Sequence, residues 1–172
     1  MTSESDSFAN FVVTRGPALT RTAFLMTGDW HSAEDLVQAT LIRMFGVWRR
    51  LERREEAEPY ARRTLTRLYL DQRRLRRSTE RVTAELPEPE HDSSSSADAA
   101  LDLLGALAKL PARQRAVVIL RYWEDLEVAT VSDILNLPIG TVKSLSSRGL
   151  AALRADLPDY RPVEHGPHQE PA

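Results

Sequence analysis

The sequence contains no cysteine. That absence excludes disulfides, thiolate zinc sites and thiol redox sensing. Long apolar runs are missing as well: nothing approaches the roughly 18 residues needed to span a bilayer. The opening MTSESDSFANF lacks the basic start and apolar stretch of a secretory signal, so a soluble, cytoplasmic protein is expected. Lysine is nearly absent, with 21 of 23 basic residues being arginine; a GC-rich coding sequence accounts for that ratio, and no function is read into it. The four histidines, His31, His91, His165 and His168, never pair at a helical metal-ligand spacing. There is no nucleophile elbow, glycine-rich phosphate loop or zinc signature. The expectation is a protein that is not an enzyme, holds no metal and needs no cofactor.

What is present is apolar material for a core. A hydrophobic content of 42% over 172 residues supports one ordinary domain or two small helical ones. Halves of roughly 75 residues would bury only about 60% of their unfolded surface and be modestly stable alone. The formal net charge of -2 gives no reason to expect a nucleic-acid partner, but its distribution does. Residues 61–81 hold eight arginines against Asp71 and Glu80, whereas residues 82–102 hold six acids and no lysine or arginine.

Apolar residues recur at intervals of three and four nearly everywhere, and no stretch alternates like a strand. The fold class predicted is all-α: two small helical domains joined by a flexible acidic linker. Phe8, Phe11 and Val12 open a first helix, which Gly16-Pro17 should interrupt or kink before Leu19, Ala23 and Met26 continue it to a stop at Gly28. Ser32 and Asp35 resemble a capping box ahead of a stripe of Val37, Leu41, Met44, Phe45 and Trp48. The opposite face shows Glu34, Asp35, Gln38, Ile42 and Arg49, and an exposed Ile beside polar residues suggests a docking surface. A third helix should start near Pro59 and run to about Arg77, with Ala61, Leu65, Leu68 and Leu75 inward. Its other side presents Tyr60, Arg63, Arg67, Asp71 and Arg74. The stretch AELPEPEHDSSSSAD is Pro-, Ser- and acid-rich and reads as a self-repelling linker. The boundaries drawn are a first domain over 1–77, a linker over 78–96, a second domain over 97–157 and a disordered tail over 158–172.

In the second domain a helix from about Ala97 ends at Leu110-Pro111, and PARQRAVVILRYWED forms the next. A short helix from Val128 to Leu135 and a last one from Gly140 to about Asp156 follow. Between these two lies Asn136, a good non-glycine choice for a left-handed turn residue. Ser132 is small where the helices cross, and Val131, Ile134, Leu135, Val142 and Leu150 can fill the space between them. The last helix carries Lys143, Ser144, Ser147 and Arg148 on its polar side, and its first turn offers N–H groups and partial positive charge to a phosphate. This is the layout of a helix-turn-helix with its second helix in the DNA major groove, set against an ordinary helical hairpin. The arginine-rich helix is either a solvated charged face or, with Tyr60 and Tyr69 among its arginines, a phosphate-binding and base-stacking surface.

With both halves read, the sequence resembles a bacterial RNA polymerase sigma factor of the extracytoplasmic-function group, in its SigE-like actinobacterial branch. The resemblance runs from about Phe8 to Leu157. TGDWHSAEDLVQATLIRMF is similar to the family's region 2 motif, and LYLDQRRLRR resembles the Asp-x-x-Arg pattern that ends that region. LPARQRAVVILRYWEDLEVATVSDIL followed by GTVKS resembles region 4. The resemblance implies that region 2 grips the clamp helices of the polymerase beta-prime subunit through Asp35, Gln38, Ile42 and Arg43. It implies that Tyr60, Arg63, Arg67, Asp71 and Arg74 face the minus-ten element, and that Thr141, Lys143, Ser144, Leu145, Ser147 and Arg148 read the minus-thirty-five element. The beta flap would support the other surface of region 4, the acidic linker would thread the polymerase channel, and an anti-sigma factor is a further expected partner. The function implied is promoter selection and minus-ten opening on behalf of core RNA polymerase. Arg67 departs from the family's usual Asn, Gln72 from a frequent aromatic, Leu145 from Arg or Gln, and Asn136 from the turn Gly. Two other classes fit part of the chain: a dimeric helix-turn-helix regulator acting without core polymerase, and a helical adaptor or anti-sigma-type protein.

Overall fold

The computed structural model describes residues 4–51, 54–79 and 95–157. Among them are seven α-helices and no strand. Helices α1 (Glu4–Thr27), α2 (Trp30–Val47) and α3 (Ala57–Thr79) pack on one another as a three-helix bundle. Helices α4 (Ser95–Lys109), α5 (Ala112–Val118), α6 (Val128–Leu135) and α7 (Ile139–Asp156) form the second half, with a π-helical turn at Ile119–Trp123 between α5 and α6. Of the linker drawn over 78–96, residues 80–94 lie outside the described residues, as do the tail from 158 onward and His91, His165 and His168.

Gly16-Pro17 does not interrupt the first helix: Pro17 sits inside α1, which runs on through it to Thr27. A mid-helix proline costs about 3 kcal/mol through its missing N–H and its clash with the preceding turn. Leu19, Ala23 and Met26 beyond it are buried, and burial of large apolar side chains at about 1.5–3 kcal/mol each outweighs that penalty. The helix then stops at Gly28, whose φ of 87° few other residues adopt, as its N–H bonds Phe24 O at 2.8 Å.

The cap of α2 is Asp29 rather than Ser32. Asp29 is extended, and its carboxylate accepts the Ser32 N–H at 2.8 Å, satisfying one of the free donors of the first turn. Partial burial of this carboxyl opposes ionisation, but the backbone and side-chain bonds from Ser32, helped by His31 and Arg76, hold it below the usual carboxylate value.

Behind this cap α2 buries Ala33, Leu36, Val37, Thr40 and Met44. Phe45, expected in that stripe, is 62% exposed and instead puts its ring edge against Phe8, which also meets the buried Trp48. In α3 the inward row holds at Ala61, Leu65 and Leu68 but fails at Leu75, which is 61% exposed. Arg74 and Arg76 on either side of it are exposed as well, so the inward row of α3 ends before this turn.

Candidate nucleic-acid and polymerase interfaces

The helix-turn-helix follows from local chemistry. Helix α6 ends at Asn136 in the left-handed region, φ 52° and ψ 52°. Ser132 fastens the turn, accepting the Leu137 N–H on its carbonyl and donating its hydroxyl to Leu137 O. Pro138 precedes α7 and its carbonyl takes the N–H groups of Thr141 and Val142 at 2.9 and 3.1 Å, so the new helix begins without a side-chain cap. Val142, Ser146 and Gly149 face inward, one helical stripe. Tyr122 shares a hydrogen bond with the inward Ser146 at 2.9 Å. Thr141, Lys143, Ser144, Ser147 and Arg148 are exposed on the other side, and Arg148 reaches Ser144 Oγ at 3.4 Å. Leu145 stands apart from that row: it is half-buried and packs against the core.

On α3 the exposed row is Arg63, Arg67, Asp71 and Arg74, while Tyr60 is half-buried against the core. Tyr69 is only 1% exposed, so the second of the two tyrosines expected to stack on bases is a core residue. This face keeps its phosphate-binding charge but loses half of its anticipated aromatic surface.

Helix α2 turns Asp35, Gln38, Ile42 and Arg43 outward along one side. Ile42 is 72% exposed, and Phe45 extends the apolar part of that surface. Asp35 is paired loosely with His31 at 3.6 Å, both well exposed. Polar and charged groups around an exposed apolar centre form the layout of a protein-docking patch. No group of three or more metal-ligating side chains occurs among the described residues.

Residues 11–79 match the Sigma-70 region 2 family, and residues 106–155 match Sigma-70, region 4. The RNA polymerase sigma-E factor of Streptomyces coelicolor is 38% identical over 152 residues, which cover 87% of this chain and 85% of that protein. The ECF RNA polymerase sigma factor SigL of Mycobacterium tuberculosis is 35% identical over 148 residues, 81% of this chain and 82% of the other. The chain is an extracytoplasmic-function sigma factor. Among solved structures, the sigma factor RpoE of Bartonella quintana, in complex with the anti-sigma factor NepR, superposes with a TM-score of 0.73 at 26% identity, covering 90% of this chain and 99% of that one. A dimeric regulator is not favoured, because such a protein has no need of the region 2 half.

In this sigma factor the two halves touch, which the sequence did not reveal. Glu124, just after the π-helical turn, accepts Arg62 Nε at 2.9 Å and the Thr22 hydroxyl, joining region 4 to α3 and α1. Arg62 also bonds Glu58 at 3.1 Å, and Glu58 pairs with Arg15 at 3.1 Å. The Arg115 guanidinium, buried, donates to Met26 O at 2.8 Å as well as to Ala108 O and Leu110 O. Desolvation lowers its pKa, Arg73 adds to the shift and Tyr69 opposes it. The contacts that join the halves, Glu124 with Thr22 and Arg62 and Arg115 with Met26 O, link residues 62 to 102 positions apart, so no local signal marks them.

Proposed function

We propose that this sigma factor docks on the clamp helices of the polymerase beta-prime subunit through Asp35, Gln38, Ile42 and Arg43 of α2. Tyr60, Arg63, Arg67, Asp71 and Arg74 of α3 meet the minus-ten element and help hold its displaced strand by phosphate neutralisation. Thr141, Lys143, Ser144, Leu145, Ser147 and Arg148 of α7 meet the minus-thirty-five element, while the beta flap rests against the rest of region 4. Core polymerase supplies the chemistry, so this chain contributes promoter choice and binding energy without catalysing a reaction. It works in the cytoplasm, and an anti-sigma factor restrains it. Residues 1–77 act as the region 2 unit, 78–96 as the connecting linker, 97–157 as the region 4 unit and 158–172 as a tail.

The observation that carries this reading is the exposed row Asp35, Gln38, Ile42 on α2, present in the same chain as the helix-turn-helix. Docking costs desolvation of polar groups and ordering of side chains, and an exposed apolar centre with a charged rim is the arrangement that recovers both. Size-exclusion chromatography with sigma-free core polymerase at moderate salt tests it. Wild type should co-elute one-to-one, and Asp35→Arg with Gln38→Ala should abolish co-elution. A dimeric chain that ignores core polymerase and binds duplex DNA unaided would overturn the reading.

A further inference from the structure

The roll of a helix about its own axis is ordinarily fixed by large side chains interlocked with its support. The buried stripe of α7 has one such side chain, Val142; its other members are Ser146 and Gly149. Gly149 lets α7 lie close against Val118 of α5 but has no side chain to interlock with it. A roll of about 20° carries a side-chain tip some 5–6 Å from the axis through about 2 Å, well beyond the roughly 0.5 Å range of hydrogen-bond lengths. Base contacts by α7 therefore need more than this stripe to hold the helix at one roll.

We propose that Tyr122 is a positioning residue for promoter choice: it fixes the roll of α7 through Ser146, and so sets how sharply the minus-thirty-five element is discriminated. The inference rests on the reading of that element by α7 given above. Tyr122 and Ser146 share a hydrogen bond at 2.9 Å, although they stand 24 positions apart. Ser146 is 6% exposed, so its hydroxyl has little water to turn to, and a hydrogen bond is directional where contacts between methyl groups are not. The Tyr122 end is anchored by the turn that carries it. Ile119–Trp123 is π-helical and is closed by the Glu124 N–H on Ile119 O at 3.0 Å, a widening that re-aims the side chains within it. Asp125 then takes the left-handed conformation at φ 50°, which persists only where its surroundings hold it, and the Leu126 N–H returns to Leu120 O at 3.0 Å. The folded-back Leu126 carbonyl accepts Arg121, whose guanidinium lies 5.8 Å from the centroid of the Tyr122 ring. These contacts all lie within residues 119–126, so the ring is held independently of α7. Ser146 follows Lys143 by three residues and precedes Ser147 by one, so the pinned residue lies in the turn that presents the reading side chains.

Tyr122→Phe tests this, because it keeps the ring and every contact the ring makes and removes only the hydroxyl. Ser146 can then bond the Val142 carbonyl four residues earlier, so the fold survives. The readout is run-off transcription with core polymerase on promoters whose minus-thirty-five element is randomised, which yields the preferred element and the use of its single-base variants. In wild type a single-base variant should be used about fivefold less or lower, and in Tyr122→Phe that ratio should shrink to about twofold or less. Minus-ten preference, co-elution with core polymerase and helical circular dichroism should match wild type. Ser146→Ala should lose discrimination to the same extent, and the double variant no further than either single one, as two groups in one bond require. Ala106→Gly weakens a different helix of region 4, α4, and should leave discrimination intact. Residual dipolar couplings of the α5 and α7 amides in the full chain should fit one roll of α7 in wild type and a spread of rolls in Tyr122→Phe. Undiminished discrimination in Tyr122→Phe, a double variant that loses more than either single one, or an equal loss in Ala106→Gly overturns the proposal. Wild type without any minus-thirty-five preference would overturn the reading by α7 instead, and the couplings would still show whether Tyr122 fixes the helix.

Discussion

Gly149 of α7 lies so close to Val118 of α5 that a Cβ on Gly149 would stand 2.4 Å from Val118 Cγ2. This contact sets how the reading helix sits on its support, since α5 and α7 pack directly against each other. Replacing Gly149 with Ala adds about 1 kcal/mol of helix propensity but forces a β-branched side chain out of its preferred rotamer, and overpacking costs about 1–3 kcal/mol. Gly149→Ala should therefore destabilise by about 1 kcal/mol in urea denaturation. Adding Val118→Ala should make the double variant less unstable than the sum of the two single losses, and strict additivity would show that the contact is relaxed.

Asn136 tests the turn. Its φ of 52° costs roughly 1–2 kcal/mol for a residue with an ordinary side chain, and most for a β-branched one. Asn136→Val should lose about that amount of stability and lower transcription in proportion. Asn136→Gly, which accepts the conformation but frees the unfolded chain, should change stability by about 0.5 kcal/mol at most. Equal thermal midpoints for the Val and Gly variants would contradict this account.

The cap at Asp29 predicts a pH dependence. Its folded pKa is lowered, so its contribution is fully present above the unfolded value near 3.8 and disappears as pH falls through the still lower folded value. Asp29→Ala should cost about 1 kcal/mol at neutral pH, and the wild-type advantage should shrink below about pH 4. A constant difference between the two proteins from neutral pH down to acid unfolding would exclude the carboxylate as the cap.

The roles proposed for α7 separate positioning from selection. Lys143→Ala should weaken binding at all promoters and reduce the salt slope by about 1, as loss of one phosphate contact does. Ser144→Ala and Arg148→Ala should alter which promoters are used in run-off transcription with core polymerase. Leu145→Arg should shift promoter preference if Leu145 meets a base methyl, and unchanged preference would place its side chain outside the groove.

Much of the region 4 half was legible because its determinants act within a turn or two of helix. Val128 to Leu135, the left-handed Asn136 and the restart beside Pro138 follow from helix periodicity and turn chemistry, and the structure has them at those positions. The charged faces of α2 and α3 were legible for the same reason, since a polar row three and four residues apart has to face outward once the apolar row faces in. Misplaced residues were those decided by a neighbour. Ser32 lost the cap to Asp29 three residues earlier, because an extended Asp directs its carboxylate at a free N–H more readily than a residue already inside the helix. Pro17 failed to break α1 because the burial of Leu19, Ala23 and Met26 beyond it is worth more than the bond it removes.

Composition, periodicity and turn residues by themselves determined an all-helical chain, its element boundaries to within a few residues, the arginine row on α3 and the helix-turn-helix. Those properties depend on backbone preferences and on contacts four residues away or fewer. Tertiary structure alone decided that Tyr69 is core while Phe45 and Leu75 are not, and that Gly149 has no room to be anything larger. It alone brought Glu124 to Thr22 across 102 residues and to Arg62 across 62. Contacts that long-ranged are chosen by which surfaces gain most from mutual burial, a sum over the whole chain that no local stretch contains.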